Sequence, residues 1–229
     1  MNPNAGRIKS KCYWEVVIRP NDFVEQRVAN RHLLTRIVRG ATVTYQGYHF
    51  PHMSENERPE SEADWVGQFL DLGSYLELWR AYLSGQFYHL SANHADWGYR
   101  HMLSPFERVA DDEPFMGVGY SLFRFTLALE FAARLAFTDM GGDDMHVAVN
   151  VGNLGKRRLV SDDPNRLHLR SEPTAGLDDF HFIRELSRAE LGANPRGLAL
   201  EGAKEFFAIF DAAFTEELLK GWQEQWLRR

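Results

Sequence analysis

The chain is poor in the features that would assign it to a simple class. It has one cysteine, Cys12, which forms no internal disulfide and reads as a small buried hydrophobe in a reducing, cytoplasmic setting. Its five lysines are Lys9, Lys11, Lys156, Lys204 and Lys220, and none follows a glutamate by two positions, so the Asp…Glu-x-Lys nuclease pattern is missing. No Ser/His/Asp elbow stands out, and a binding module is expected rather than an enzyme. No long apolar run is free of charge. Val118 to Phe137 approaches the length of a membrane span but carries Arg124, Glu130 and Arg134, each costing about 3 kcal/mol at the centre of a bilayer. It reads as a buried helix with Glu130 and Arg134 paired across one turn, and no membrane partner is expected. Met1-Asn-Pro-Asn lacks an apolar core, so no signal peptide is expected.

What is present is ordinary in amount and unusual in distribution. With 229 residues, 44% hydrophobic and 25% charged, the composition is that of a soluble globular protein. A chain this long buries roughly 70% of its unfolded surface, so its core needs neither metal nor disulfide. Net charge is −6, yet residues 1–39 carry an excess of five positive charges and residues 40–150 an excess of ten negative ones. An acidic middle disfavours duplex binding by the whole surface, because phosphate neutralisation supplies most of that affinity.

Tyr13 to Ile18, aromatic and β-branched, predicts a strand that stops at Pro20. Asn30 ahead of Leu33, Leu34, Ile37 and Val38 predicts a short capped helix ending near Gly40. Ala41 to Phe50 is again β-rich, and Ser54 to Asp64, with five acidic residues, is a solvated loop and the one weak candidate for a subdivision of a single domain spanning 1–229. Tyr75 to Leu90 has β-rich arms around Ser84-Gly85, a hairpin. Strands are expected at Met145 to Val151, near Leu167 to Leu169 and at Phe180 to Ser187. From about Leu198 one final helix carries a stripe of Phe206, Phe210, Phe214, Leu218, Trp222 and Trp226, with Glu216–Lys220 and Glu224–Arg228 on its polar side. The order predicts an α+β protein, a mostly antiparallel sheet packed against two long helices. Because the stripe runs almost to the last residue, a homodimer through this helix is expected.

Four phrases carry a likeness: Tyr13-Trp-Glu-Val-Val-Ile-Arg-Pro20, Tyr45-Gln-Gly-Tyr-His-Phe-Pro-His52, Asp64-Trp-Val-Gly67 and Leu78-Trp-Arg-Ala-Tyr-Leu-Ser-Gly-Gln-Phe87. Over residues 13–100 the chain resembles the uncharacterised region that follows the Schlafen/AlbA-type DNA-binding or ATP-binding domain in bacterial proteins. The resemblance implies a bacterial sensor or interaction module and carries over no catalytic residue.

The aromatic residues are concentrated in the first hundred positions, and Tyr and Trp suit half-buried sites because a polar tip caps an apolar body. A partner protein or a small ligand is therefore expected on Trp14, Tyr48, Trp79, Tyr82, Tyr88 and Trp97. The alternative is nucleic-acid phosphate on Lys156, Arg157, Arg158, Arg166 and Arg170, joined by Arg31, Arg36 and Arg39. The Gly152-Asn-Leu-Gly155-Lys-Arg-Arg158 turn has arginine where a P-loop needs a hydroxyl. Gly117-Val-Gly119 could present N–H groups to an anion at a helix start. His49, His52, His89, His94, Asp96 and His101 match no metal spacing, and two residues three apart in extended chain point to opposite faces, so neither metal nor cofactor is expected.

Overall fold

The structure is a computed structural model and describes residues 3–54, 59–98, 109–110, 113–162, 169 and 172–228. Helix α1 (Pro3–Ile8) precedes strand β1 (Tyr13–Pro20), in which Trp14, Val16, Ile18 and Pro20 are buried and alternate with half-buried neighbours. Asn30 accepts a hydrogen bond from the Leu33 amide at 2.9 Å and so starts α2 (Arg31–Ala41). β2 (Val43–Tyr45) and β3 (Tyr48–Phe50) form a small hairpin. A second run of strands follows: β4 (Glu60–Ser61), β5 (Trp65–Asp71), β6 (Leu76–Tyr82) and β7 (Phe87–Ala92). After a 3-10 turn at His94–Trp97, β8 (Phe115–Gly117) leads directly into α3 (Val118–Ala136). The chain ends with β9 (Asp144–Gly152), β10 (Arg158–Val160), β11 (Phe180–Ser187), α4 (Arg188–Ala193), α5 (Pro195–Ala208) and α6 (Glu216–Arg228).

The main sheet has seven strands in the order β11-β9-β1-β7-β6-β5-β4, and every neighbouring pair is antiparallel. β8 and β10 pair in parallel beside it. This is the α+β class that the order of elements predicts. α3 is buried almost all round, with the sheet on one side and α5 and α6 on others. Trp14 stands at the crossing, with ring centroids 5.5 Å from both Phe125 and Phe206; Phe206 lies 5.2 Å from Phe180 and 5.4 Å from Phe210.

Several expectations change. The final helix is two, α5 and α6, separated by a turn in which Asp211 has φ +55°. Their stripe is still one surface, because Phe207 and Phe214 are 5.1 Å apart and Phe214 and Trp222 5.4 Å. Phe206, Phe210 and Trp222 are buried within this chain, which uses most of the surface that suggested a second copy; Leu218 stays 39% exposed. Glu216 faces Lys204 at 3.5 Å rather than Lys220, while Glu224 and Arg228 do pair at 3.3 Å. Glu130 and Arg134 do not bridge to each other: Glu130 binds Tyr45 and Arg196, and Arg134 donates to the carbonyls of Ala41 and Thr42. The sequence pattern does not predict β5, since Gly67 and Gln68 interrupt the β-rich run there. Of the strand expected near Leu167 to Leu169, only Leu169 lies within the described residues.

Phe206→Ala removes the ring that joins α5 to the sheet. It is expected to lower the unfolding free energy by about 3–5 kcal/mol, read by urea denaturation. A loss below about 1 kcal/mol would contradict this assignment of the core.

Candidate functional site

Strands whose inward face meets a helix normally offer apolar side chains there. In β6 and β7 this rule fails at one place. The register pairs Ala81 with Phe87, Trp79 with His89 and Glu77 with Ser91, so Glu77, His89 and Ser91 share the inward face with large apolar neighbours. All three are fully buried, and Arg124, from α3 opposite, is 1% exposed. Burying a carboxylate and a guanidinium costs several kcal/mol per ion unless both are well partnered.

They are partnered through two tyrosines. Arg124 donates to the Ser91 hydroxyl at 2.6 Å and to the Tyr48 hydroxyl at 2.8 Å. The Tyr48 and Tyr75 hydroxyl oxygens are 2.9 Å apart, and Tyr75 donates to Glu77 in turn. The other Glu77 oxygen accepts from the His52 backbone amide at 2.7 Å. Hydrogen-bond direction follows by elimination. Arginine can only donate, a carboxylate can only accept, and each phenol has one hydrogen. The Tyr75 hydrogen goes to Glu77, so the Tyr48 hydrogen goes to Tyr75. His89 Nε2 is 3.3 Å from Glu77 without the alignment of a hydrogen bond.

The β2–β3 hairpin brings Tyr48 to this relay. Gln46 and Gly47 have φ of +54° and +76°, the two positive values that a type I′ turn requires. Such a turn sets Tyr45 opposite Tyr48. Tyr45 then donates to Glu130 at 2.6 Å while Tyr48 accepts from Arg124, so two of the α3 charges that weigh against a membrane span anchor the hairpin along the helix.

Above the relay lies a cavity of about 440 Å³. Six rings follow one another around its wall. Tyr120 to His94 and His94 to Tyr75 are each 4.8 Å between centroids, Tyr75 to Tyr48 is 5.7 Å, Tyr48 to Phe123 5.5 Å and Phe123 to Trp226 5.7 Å. The arc closes because the Trp226 indole packs on Gly119, where an added Cβ would come within 2.6 Å of its nitrogen. His49, His52, Asn93 and Asp162 also line the space. His49 and His52, expected on opposite faces, are 5.9 Å apart on the same one, since β3 ends at Phe50 and the chain bends at Pro51.

Asp162 answers the expectation about the helix start. Its two oxygens accept from the Gly119 amide at 2.6 Å and the Tyr120 amide at 2.7 Å. The anion at the head of α3 is therefore the chain's own carboxylate, and Gly117 is small because a Cβ there would meet Asp162 at 2.1 Å. Burial pushes the Tyr120 hydroxyl up to about 12, and it has no hydrogen-bond partner among the described residues. Burial, followed by the Arg124 charge, pulls His94 down to about 3, and burial lowers His89 against the pull of Glu77. Both imidazoles are neutral at pH 7. Burial opposes the Arg124 charge, but Tyr48, Tyr120 and Glu77 together outweigh it and the guanidinium pKa is raised.

Of the six aromatic residues singled out from the sequence, only Tyr48 lines the cavity. Trp14 and Trp79 are core residues, and the Trp79 indole donates to the His52 carbonyl at 2.9 Å. Tyr82 is half-buried beside Trp65. Tyr88 lies on the other face of the sheet and donates to Glu15 at 2.7 Å. Trp97 sits under Arg7 and Lys11, 5.4 and 4.6 Å from its centroid. The basic segment is not a free patch either. Arg157 makes a two-pronged pair with Asp96, both bonds 2.6 Å, and Arg158 pairs with Glu172 at 3.0 Å, so of these three neighbours Lys156 alone is exposed, while Arg31, Arg36 and Arg39 are exposed on α2. Arg166, Arg170 and His101 lie outside the described residues. Among the described residues no group of three or more His, Cys, Asp or Glu is placed to hold a metal ion, and no helix is long and apolar enough to cross a membrane. Cys12 is buried, and burial raises its thiol to about 12.

Sequence reasoning missed Tyr75, His94, Tyr120, Arg124 and Glu77 as one set. The signal that could have found them is the in-phase placing of Glu77 with Trp79 and Ala81, and of His89 and Ser91 with Phe87, which puts polar groups on whichever face Trp79 buries. Comparison of the chain with protein-family models, with curated proteins and with solved structures finds no match.

Two outcomes are expected. Arg124→Met and Glu77→Gln should each destabilise the fold, and the double variant should lose less than the two losses added, with a coupling of about 0.5–3 kcal/mol in denaturant titrations. Strict additivity would show that the relay does not link the two charges. For pH, the unfolded chain binds a proton on His94 below its ordinary pKa of 6.5, and the folded chain refuses it down to about 3. Stability is then complete above about pH 6.5 and falls as pH drops towards 3, with His89 acting in the same direction. In His94→Phe the loss in unfolding free energy between pH 7 and pH 4.5 should be smaller than in the wild type; an equal loss would contradict the burial of a neutral His94.

Proposed function

We propose that this protein is a binding module that takes a small molecule in the ring-lined cavity between the β2–β3 hairpin, α3 and α6. The observation that carries the reading is Tyr120, which stands in the cavity wall and whose buried hydroxyl has no hydrogen-bond partner among the described residues. A buried polar group left unpaired costs about 1–3 kcal/mol, and a bound molecule that accepts from it recovers that cost. The size agrees, since pockets for small ligands run from about 300 to 1,000 Å³ and are lined mainly by apolar and aromatic groups with a few fixed polar ones. The ion pairs of Arg157 and Arg158 leave the nucleic-acid reading with less support than the cavity gives this one.

The test is native mass spectrometry of protein purified from its own cells, or exposed to their small-molecule extract, together with its thermal unfolding. A bound small molecule and a raised midpoint are expected, since a ligand at a hundred times its Kd stabilises by about 2.7 kcal/mol. Both should be lost in Ser74→Trp, which fills the cavity from its wall on the half-buried turn before β6. Wild-type protein that takes up nothing from the extract would contradict the reading.

A further inference from the structure

We infer that the cavity selects an uncharged, planar aromatic or heteroaromatic molecule whose edge carries a hydrogen-bond donor beside an acceptor, an inference that rests on the binding reading above. The wall sets the shape. A closed arc of rings at 4.8–5.7 Å spacings offers faces and edges to a flat molecule and little to a branched polar one.

Charge on the ligand is disfavoured by what each ion of the protein already holds. Arg124 lies behind the cavity wall and donates to Tyr48 and Ser91, Glu77 has one oxygen on Tyr75 and the other on the His52 amide, and both oxygens of Asp162 hold the head of α3. Among the described residues every carboxylate and guanidinium at or behind the wall is thus already hydrogen-bonded within the protein, which leaves His49 and His52 as the remaining titratable wall groups beside neutral His94, and a buried charge without a dedicated counter-ion is expensive. A ring cage alone can attract a cation. Here the Arg124 guanidinium behind Tyr48 opposes one, as it already disfavours the charged form of His94.

The direction of the relay decides what the edge of the ligand must carry. The Tyr48 and Tyr75 hydrogens are committed to Tyr75 and Glu77, so towards a ligand their oxygens can only accept, and the ligand must donate. The Tyr120 hydrogen has no acceptor among the described residues and needs one. Donor and acceptor on one planar edge is the pattern of an amide, a lactam or a nucleobase.

Four probes of nearly one shape separate these arguments: benzamide, benzoate, benzamidinium and acetophenone. Binding to the whole protein is read by quenching of tryptophan fluorescence, for which Trp226 stands in the wall, and by calorimetry. Benzamide is expected to saturate the site, with benzoate, benzamidinium and acetophenone each at least tenfold weaker, and Tyr120→Phe should weaken benzamide about fivefold. Tighter binding of either ion overturns the charge argument, and equal binding of acetophenone overturns the donor requirement. Binding by none of the four overturns the class. The binding reading fails separately, by the empty native mass spectrum described above, so an occupied cavity that rejects benzamide would refute this inference alone.

Discussion

Arg124 and Glu77 are held out of water on opposite sides of the core, one on α3 and one on β6, and the fold around them meets the hydrogen-bonding needs of both. Their separation is spanned by two phenols, Tyr48 and Tyr75, each of which accepts from the arginine side and donates to the carboxylate side. A relay of this kind polarises in one direction, and in a low-dielectric interior each bond strengthens its neighbours. It also restricts geometry. The β2–β3 hairpin must lie along α3 so that Tyr48 meets Arg124, and β7 must supply Ser91 in register with Glu77. Moving any of the three strips a buried charge of one of its hydrogen-bond partners.

The cavity follows from that restriction. Tyrosines standing between a helix and a sheet to carry a relay hold the two layers apart at that point, where aliphatic side chains would let them close. Their rings become the wall of the space left over, and α6 completes it by laying Trp226 against Phe123 and Gly119. Gly117 and Gly119 belong to the same construction, since a side chain at either would displace Asp162 or Trp226. The carboxylate of Asp162 in turn satisfies the first amides of α3, so the helix that supplies Arg124, Tyr120 and Phe123 begins at a fixed place.

Much of the fold was legible because its signals are local. Asn30 marks the start of α2, Ser84-Gly85 the β6–β7 turn, and the alternation in residues 145–151 and 180–187 marks two strands. The apolar run from Val118 was readable as a buried helix, and its three charges as unsuited to a membrane. Aromatic density suggested a pocket, but density does not separate a core ring from a wall ring: Trp14 and Trp79 pack in the interior while Tyr48, one residue type among many, stands at the site. Tyr75, His94 and Tyr120 come from a strand approach, a 3-10 turn and a helix, and only the sheet register and the placement of α3 bring them together. Likewise the charges of Arg157 and Asp96 cancel across 61 positions of sequence, a distance at which a basic run looks free.

The central claim is the direction and burial of the Tyr48–Tyr75 relay, and the hydroxyl protons themselves report on it. With isotope-labelled tyrosine, proton NMR should detect the Tyr48 and Tyr75 hydroxyl protons as slowly exchanging, downfield-shifted signals at pH 7, with the Tyr48 signal moved upfield in Tyr75→Phe because its acceptor is gone. Hydroxyl protons on both residues that exchange with water as fast as that of half-buried Tyr82 would contradict the relay and the construction of the cavity that depends on it.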